Sequence, residues 1–231
     1  MTSVAKEITG NEAAKPAAAS KGLKGVVAAD SAICDIDGQL GKLIYRGYDI
    51  HELAERSSYE EVVFLLLNGE LPNRQQLQDM TVSLAKHRQV TPAVLSFLKT
   101  LPQDVNPMAA LRTAISLEGA YDPLSEVNTT EANWEKALRL VGLTASVVAS
   151  FQRIRQGLEP LSPRPDLSHA ANFLYMMNGK VPTAAEAHAM DLVLILHAEH
   201  GFNASTFAAR VIAATLSDLY SVITGAIGAL K

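Results

Sequence analysis

Polar and apolar positions change rhythm once along this chain, close to residue 48. Before that point two β-prone runs, Gly25 to Ile36 and Lys42 to Gly47, flank an Asp37-Gly38 turn signal and predict a hairpin. No other strand pair is supported, and a lone hairpin needs a larger body to pack on. Beyond it the pattern is helical, and the starts are marked by residues whose side chains accept hydrogen bonds from unpaired first-turn amides. Asp49 with Glu52, Ser58 with Glu61, Asn73 with Gln76 and Thr183 with Glu186 read as capping boxes. Thr91-Pro92 and Asn106-Pro107 read as a cap followed by proline at the first helical position. These signals predict helices near 50 to 56, 59 to 68, 74 to 88, 92 to 99, 107 to 119, 131 to 156, 169 to 178, 184 to 199, 204 to 215 and 217 to 230. The fold class is therefore mostly α, with a small N-terminal β-hairpin.

Two of these helices say more through their apolar faces. Between Glu131 and Gln156, Trp134, Leu138, Val141, Ala145, Val148 and Ile154 lie close to one stripe that Leu140, Leu143, Val147 and Phe151 widen. Such a helix is covered on most sides, either as the spine of a helical domain or by a second subunit as well. The segment from Ala184 to Glu199 is apolar nearly all round, so it is expected to be buried. In the final pair, Gly225 and Gly228 predict close helix-on-helix packing.

Composition narrows the function. A chain of 231 residues can bury one large core. Residues 1 to 20 carry scarcely a large apolar group and read as a disordered tail, order being expected from near Leu23. Two glutamates and no arginine in that tail argue against a transit peptide. The lone Cys34 and the lack of a secretory apolar region point to a reducing, cytoplasmic setting. With a net charge of −4 and no basic run interleaved with aromatics, a nucleic-acid partner is not expected. The longest apolar tracts fall far short of the roughly 18 residues that span a bilayer, so no membrane partner is expected either.

The segment Leu194 to Thr206 concentrates the polar chemistry, with His197, Glu199, His200 and Asn203 between two apolar helices. His197 has a plain reading as a core histidine bonded to a neighbour, and a rival one as a ligand group. His200, just before a Gly201 that reads as a left-handed stop, falls in the last turn of the first helix, where unpaired carbonyls favour an imidazolium. Asn203 reads as the cap of the next helix, whose first amides point into the same space. Together these groups make a receptor for a small carboxylate. Metal binding is the alternative, but the spacing fits neither His-Glu-x-x-His nor His-x-x-Glu-His, and no metal site is expected. Phosphate-loop, dinucleotide and nucleophile-elbow motifs are also missing from the sequence. The remaining histidines, His51, His87, His169 and His188, read as surface or structural.

Separated motifs in a fixed order then add a family resemblance. Gly22 to Val27, Leu43 to Ile50, Glu60-Glu61-Val62, Leu66 to Pro72, Asn106-Pro107-Met108, Leu111-Arg112-Thr113, Ile195 to His200 and Asn203 to Thr206 closely resemble the bacterial citrate synthase and 2-methylcitrate synthase family. The resemblance implies a multi-helical large domain, an acyltransferase that condenses acetyl-CoA with oxaloacetate to give citrate and free CoA without a cofactor, and a homodimer. It places oxaloacetate binding on His200, with Asn203 shaping the pocket and His197 in support, while Arg46 and Arg112 are expected to be structural.

In the family a Gly-Pro-Leu-His segment comes almost at once after the position of Lys231. Its histidine donates to the acetyl carbonyl, a later aspartate removes the methyl proton, and a further histidine and arginines act on oxaloacetate. No residue here matches those positions, so no catalytic residue is assigned within this chain. Residues 21 to 231 are expected to be the N-terminal part of the large domain, inactive alone, with a non-catalytic dimerisation or scaffold module as the alternative. Whether acetyl-CoA or propionyl-CoA is preferred stays open.

Overall fold

The computed structural model describes residues 29 to 230, so the expected tail and the onset of order near Leu23 lie outside the described residues. Three short strands, β1 (Cys34–Asp37), β2 (Lys42–Tyr45) and β3 (Tyr48–Asp49), form an antiparallel sheet in the order β1-β2-β3. Cys34 pairs with Tyr45 and Asp37 with Lys42, and Tyr45 pairs again with Tyr48. The first loop is longer than a two-residue Asp-Gly turn: Asp37 Oδ1 accepts from Gln39 N at 2.9 Å and Leu40 N at 3.0 Å. β3 is not expected from the sequence. It arises because Arg46 and Gly47 both take positive φ, 50° and 92°, the conformation of a two-residue hairpin turn, and arginine is an uncommon residue there.

Ten helices complete the described residues: α1 (Ile50–Arg56), α2 (Tyr59–Asn68), α3 (Arg74–Lys86), α4 (Pro92–Thr100), α5 (Pro107–Tyr121), α6 (Thr130–Arg155), α7 (His169–Asn178), α8 (Ala184–Leu196), α9 (Ala204–Ala213) and α10 (Leu219–Ala229). Among the described residues none is long and apolar enough to cross a membrane. Capping boxes close at Ser58 with Glu61, Asn73 with Gln76 and Thr183 with Glu186, satisfying two otherwise orphaned amides each. Asp49 caps α1 through His51 N. Thr91 and Asn106 cap α4 and α5 with proline in the first turn.

Three apolar clusters hold these elements. Val94, Leu98, Ile115, Leu143, Val147 and Tyr220 join α4, α5, α6 and α10. Tyr45, Ile50, Leu53, Val62, Leu65 and Ile195 join the sheet to α1, α2 and α8. Val63, Phe64, Met80, Leu84 and Leu138 join α2, α3 and α6. α6 is thus the spine the sequence suggests, packed against α3, α4, α5, α7 and α10. It comes close to α3 at Gly142, where an added β-carbon would lie 3.0 Å from the backbone of Leu84 and His87. In the final pair Gly225 is the seat of Ile212, whereas a β-carbon on Gly228 would meet the Arg112 side chain at an ordinary contact distance of 3.7 Å.

Buried polar groups fix the connections. Glu118 of α5 has no exposed surface; it accepts from Thr91 N at 2.8 Å and pairs with Arg139 of α6 at 3.2 Å. Arg88, equally inaccessible, donates from Nη1 to Arg164 O at 3.1 Å and Leu167 O at 2.8 Å, stapling the loop before α7 to the end of α3. Glu60 accepts from His169 N at 2.7 Å, and the His169 ring lies 5.2 Å from that of Tyr59.

Burial, helped by the charge of Arg88, holds the His169 imidazole down to about 4 from an ordinary value near 6.5. The folded chain therefore keeps the ring neutral in a pH range where the unfolded chain protonates it. Stability is complete above about pH 6.5 and falls as pH drops toward about 4, by on the order of 3 kcal/mol in all. Urea unfolding at pH 7 and pH 5 should show the native chain losing about 2 kcal/mol more than His169→Phe, which keeps a ring against Tyr59 but cannot titrate. Equal losses would exclude His169 as a source of acid sensitivity.

Candidate functional site

The turn between α8 and α9 carries His197, His200 and Asn203. α8 ends sooner than the sequence implies, at Leu196, with His197 as its C-cap. His200 consequently stands three residues beyond the cap rather than in the last helical turn. The apolar run predicts burial of α8, but only Ile195 is buried, while Val193 and Leu196 are about half exposed. His197 is exposed, which sets aside its reading as a core histidine; its Nδ1 donates to Val193 O at 2.7 Å and so closes the helix end.

Local chemistry shapes the rest of the turn. Gly201 adopts the left-handed conformation, φ 64°, but four residues beyond the cap of α8, so it is not the stop of that helix; its amide donates to Glu199 Oε1 at 2.7 Å. Asn203 caps α9: its Oδ1 accepts from Thr206 N at 2.8 Å and Ser205 Oγ at 2.6 Å. The cap uses the carbonyl end of the amide, so Nδ2, a donor, takes no part in it. His200 is exposed and Asn203 partly so. The turn accordingly presents an imidazole, an amide donor and the first turn of α9 on one accessible segment. These are donor groups, suited to an anionic oxygen ligand. Among the described residues no grouping of three or more histidine, cysteine, aspartate or glutamate side chains could hold a metal ion.

The helix that delivers this turn is fixed from below. Asp191 accepts from Tyr59 N at 3.2 Å and so serves the first turn of α2, while Ile195 enters the cluster beneath the sheet. Burial raises the Asp191 carboxyl above its ordinary range, and the Tyr59 amide opposes the shift. Arg46 Nη2 donates to Leu66 O at 3.0 Å. The Arg112 side chain lies beside Gly228 of α10. The sequence pattern assigns no role to Tyr45, whose hydroxyl reaches Glu199, nor to the Glu199 carboxylate. Alternation along β2 marks Tyr45 as inward-facing, but nothing short-range signals a contact 154 positions away.

A mostly helical body with a small antiparallel sheet is the fold this chain shares with solved citrate synthases. The structure of citrate synthase from Pyrobaculum aerophilum matches with a TM-score of 0.85 and 44% identity, covering 90% of this chain and 54% of that one. The ternary complex of carboxymethyl coenzyme A and oxaloacetate with citrate synthase from Thermoplasma acidophilum matches with a TM-score of 0.84 and 29% identity, over 90% of this chain and 54% of that one. Citrate synthase of Haloferax volcanii is 48% identical over 91% of this chain and 57% of its own length. 2-Methylcitrate synthase of Mycobacterium tuberculosis is 47% identical over 91% of this chain and 53% of its own. The family model described as citrate synthase, C-terminal domain, matches residues 22–231, and the chain belongs to the citrate synthase family. It spans about half the length of the curated relatives it matches.

Proposed function

We propose that these residues supply the oxaloacetate-gripping segment of an acyltransferase that condenses acetyl-CoA with oxaloacetate, giving citrate and free CoA. The observation that carries this reading is the exposed His200 beside the cap of α9, in a chain of this family. An imidazole N–H and an amide donor suit a small dicarboxylate, because hydrogen bonds to an ionised carboxylate are the stronger kind. His197 supports the turn by closing α8. The chemistry of this segment is binding. The base that takes the methyl proton and the donor that steadies the enolate oxygen, each worth orders of magnitude in rate, match no position in this sequence.

The same reading includes a homodimer, a cytoplasmic setting and no cofactor. Val193, Leu196, Phe207 and Val211 of α8 and α9 keep about half their surface exposed, which supports a further covering layer in the assembled protein. Relatives named citrate synthase and 2-methylcitrate synthase are similar to this chain at nearly equal identity, so acyl-chain length is a matter for assay with both acyl-CoAs.

Oxaloacetate titrated into the chain should shift the ring resonances of His200 and the amides of Asn203 and its neighbours, and His200→Ala should weaken the affinity by about 10- to 100-fold while leaving the circular dichroism spectrum unchanged. Affinity unaltered by that substitution would remove His200 from oxaloacetate binding.

A further inference from the structure

Tyr45 is separated from the His200 turn by most of the chain and is nonetheless joined to it. The ring has no exposed surface. Its hydroxyl accepts from Glu199 N at 3.2 Å and donates to Glu199 O at 3.0 Å, with Leu196 O, the last carbonyl of α8, at 3.4 Å. One hydroxyl thus engages both backbone polar groups of the residue preceding His200. The sheet also comes near the chain on the far side of His200: Ile36 Cδ1 of β1 lies 3.5 Å from where a β-carbon on Gly201 would stand.

The support under Tyr45 is rigid. Its strand pairs on both sides, with Cys34 and with Tyr48. The turn after it is pinned by Arg46 N donating to Ile33 O at 2.9 Å and Arg46 Nη2 donating to Leu66 O. By contrast, residues 197 to 202 have no helical ladder of their own. Left alone, such a segment would sample many backbone conformations, and ordering it on ligand binding would weaken affinity.

We propose that Tyr45 is a positioning residue: its hydroxyl fixes the backbone at Glu199 and thereby sets where the His200 imidazole stands relative to the Asn203 cap. This inference rests on the oxaloacetate reading for its consequence in affinity, but not for its consequence in loop order. Burial raises the phenol above its ordinary range, keeping it protonated and able to donate.

The test uses the 231-residue chain and four variants: Tyr45→Phe, His200→Ala, the double variant, and Ile50→Val, which trims the same apolar cluster without touching the hydroxyl. Hydrogen exchange of the peptide covering residues 197 to 203 should quicken about tenfold in Tyr45→Phe, with α5 and α6 unchanged, while Ile50→Val leaves that peptide at its native rate. Oxaloacetate affinity should fall about five- to tenfold in Tyr45→Phe, and the double variant should bind no more weakly than His200→Ala, since both act through one imidazole. Unchanged exchange at 197 to 203, or a matching rise in Ile50→Val, overturns the positioning role. Native affinity in Tyr45→Phe alongside weakened affinity in His200→Ala overturns it as well. If His200→Ala itself binds normally, the oxaloacetate reading falls, and the exchange measurement still decides the role of Tyr45.

Discussion

Glu118→Ala should destabilise the chain by about 3 to 4 kcal/mol in guanidinium unfolding, with Glu118→Gln costing about half as much. The carboxylate is wholly inaccessible and serves two helices at once: Oε1 receives the Thr91 amide at the head of α4, and Oε2 pairs with Arg139 on α6. Truncation leaves a buried amide without an acceptor, a loss of about 1 to 3 kcal/mol, and deprives a partly buried guanidinium of its counter-charge. Glutamine keeps the shape and an oxygen for Thr91 N, so the loss in that variant reports the charge, and the gap between it and alanine reports the Thr91 acceptor and the packing. A loss below about 1 kcal/mol in the alanine variant would mean that water takes over both roles.

Arg88→Met should be nearly as damaging, about 3 kcal/mol, through a different route. Methionine fills the space, but the carbonyls of Arg164 and Leu167 lose their donor and the buried Glu60 loses a nearby positive charge. A double-mutant cycle with Glu60→Gln should therefore be non-additive, the second substitution costing about 1 to 2 kcal/mol less when Arg88 is already gone. Costs that simply add would show that the two buried charges do not sense each other, and would leave the stapling of the loop as the sole function of the arginine.

The helices are legible because their starts are local events. A cap, its third residue and a proline are read within one turn, and Ser58, Asn73, Thr91, Asn106 and Thr183 all act where the pattern puts them. Ends and surroundings are set by distant groups and are less legible. The apolar rhythm of α8 runs on past Leu196, yet the backbone leaves the helix there, since the Tyr45 hydroxyl and the Glu199 carboxylate offer the turn competing partners. β3 escapes notice because an arginine in a left-handed conformation heads its turn. The candidate site is visible as residue types in a short segment. Its support is not, because the side chain that holds it belongs to the opposite end of the sequence.

Gly142 carries a consequence for variation in this protein. α6 and the end of α3 meet at that residue with no side chain between them, and the imidazole of His87, the C-cap of α3, meets the Glu135 carboxylate of α6 at 3.2 Å. The gauge between these rods is set by a single hydrogen atom. A β-carbon at that position would require the backbone of Leu84 and His87 to yield by a few tenths of an ångström along the shared seam, so the cost of change there is set by how far the facing turn can give.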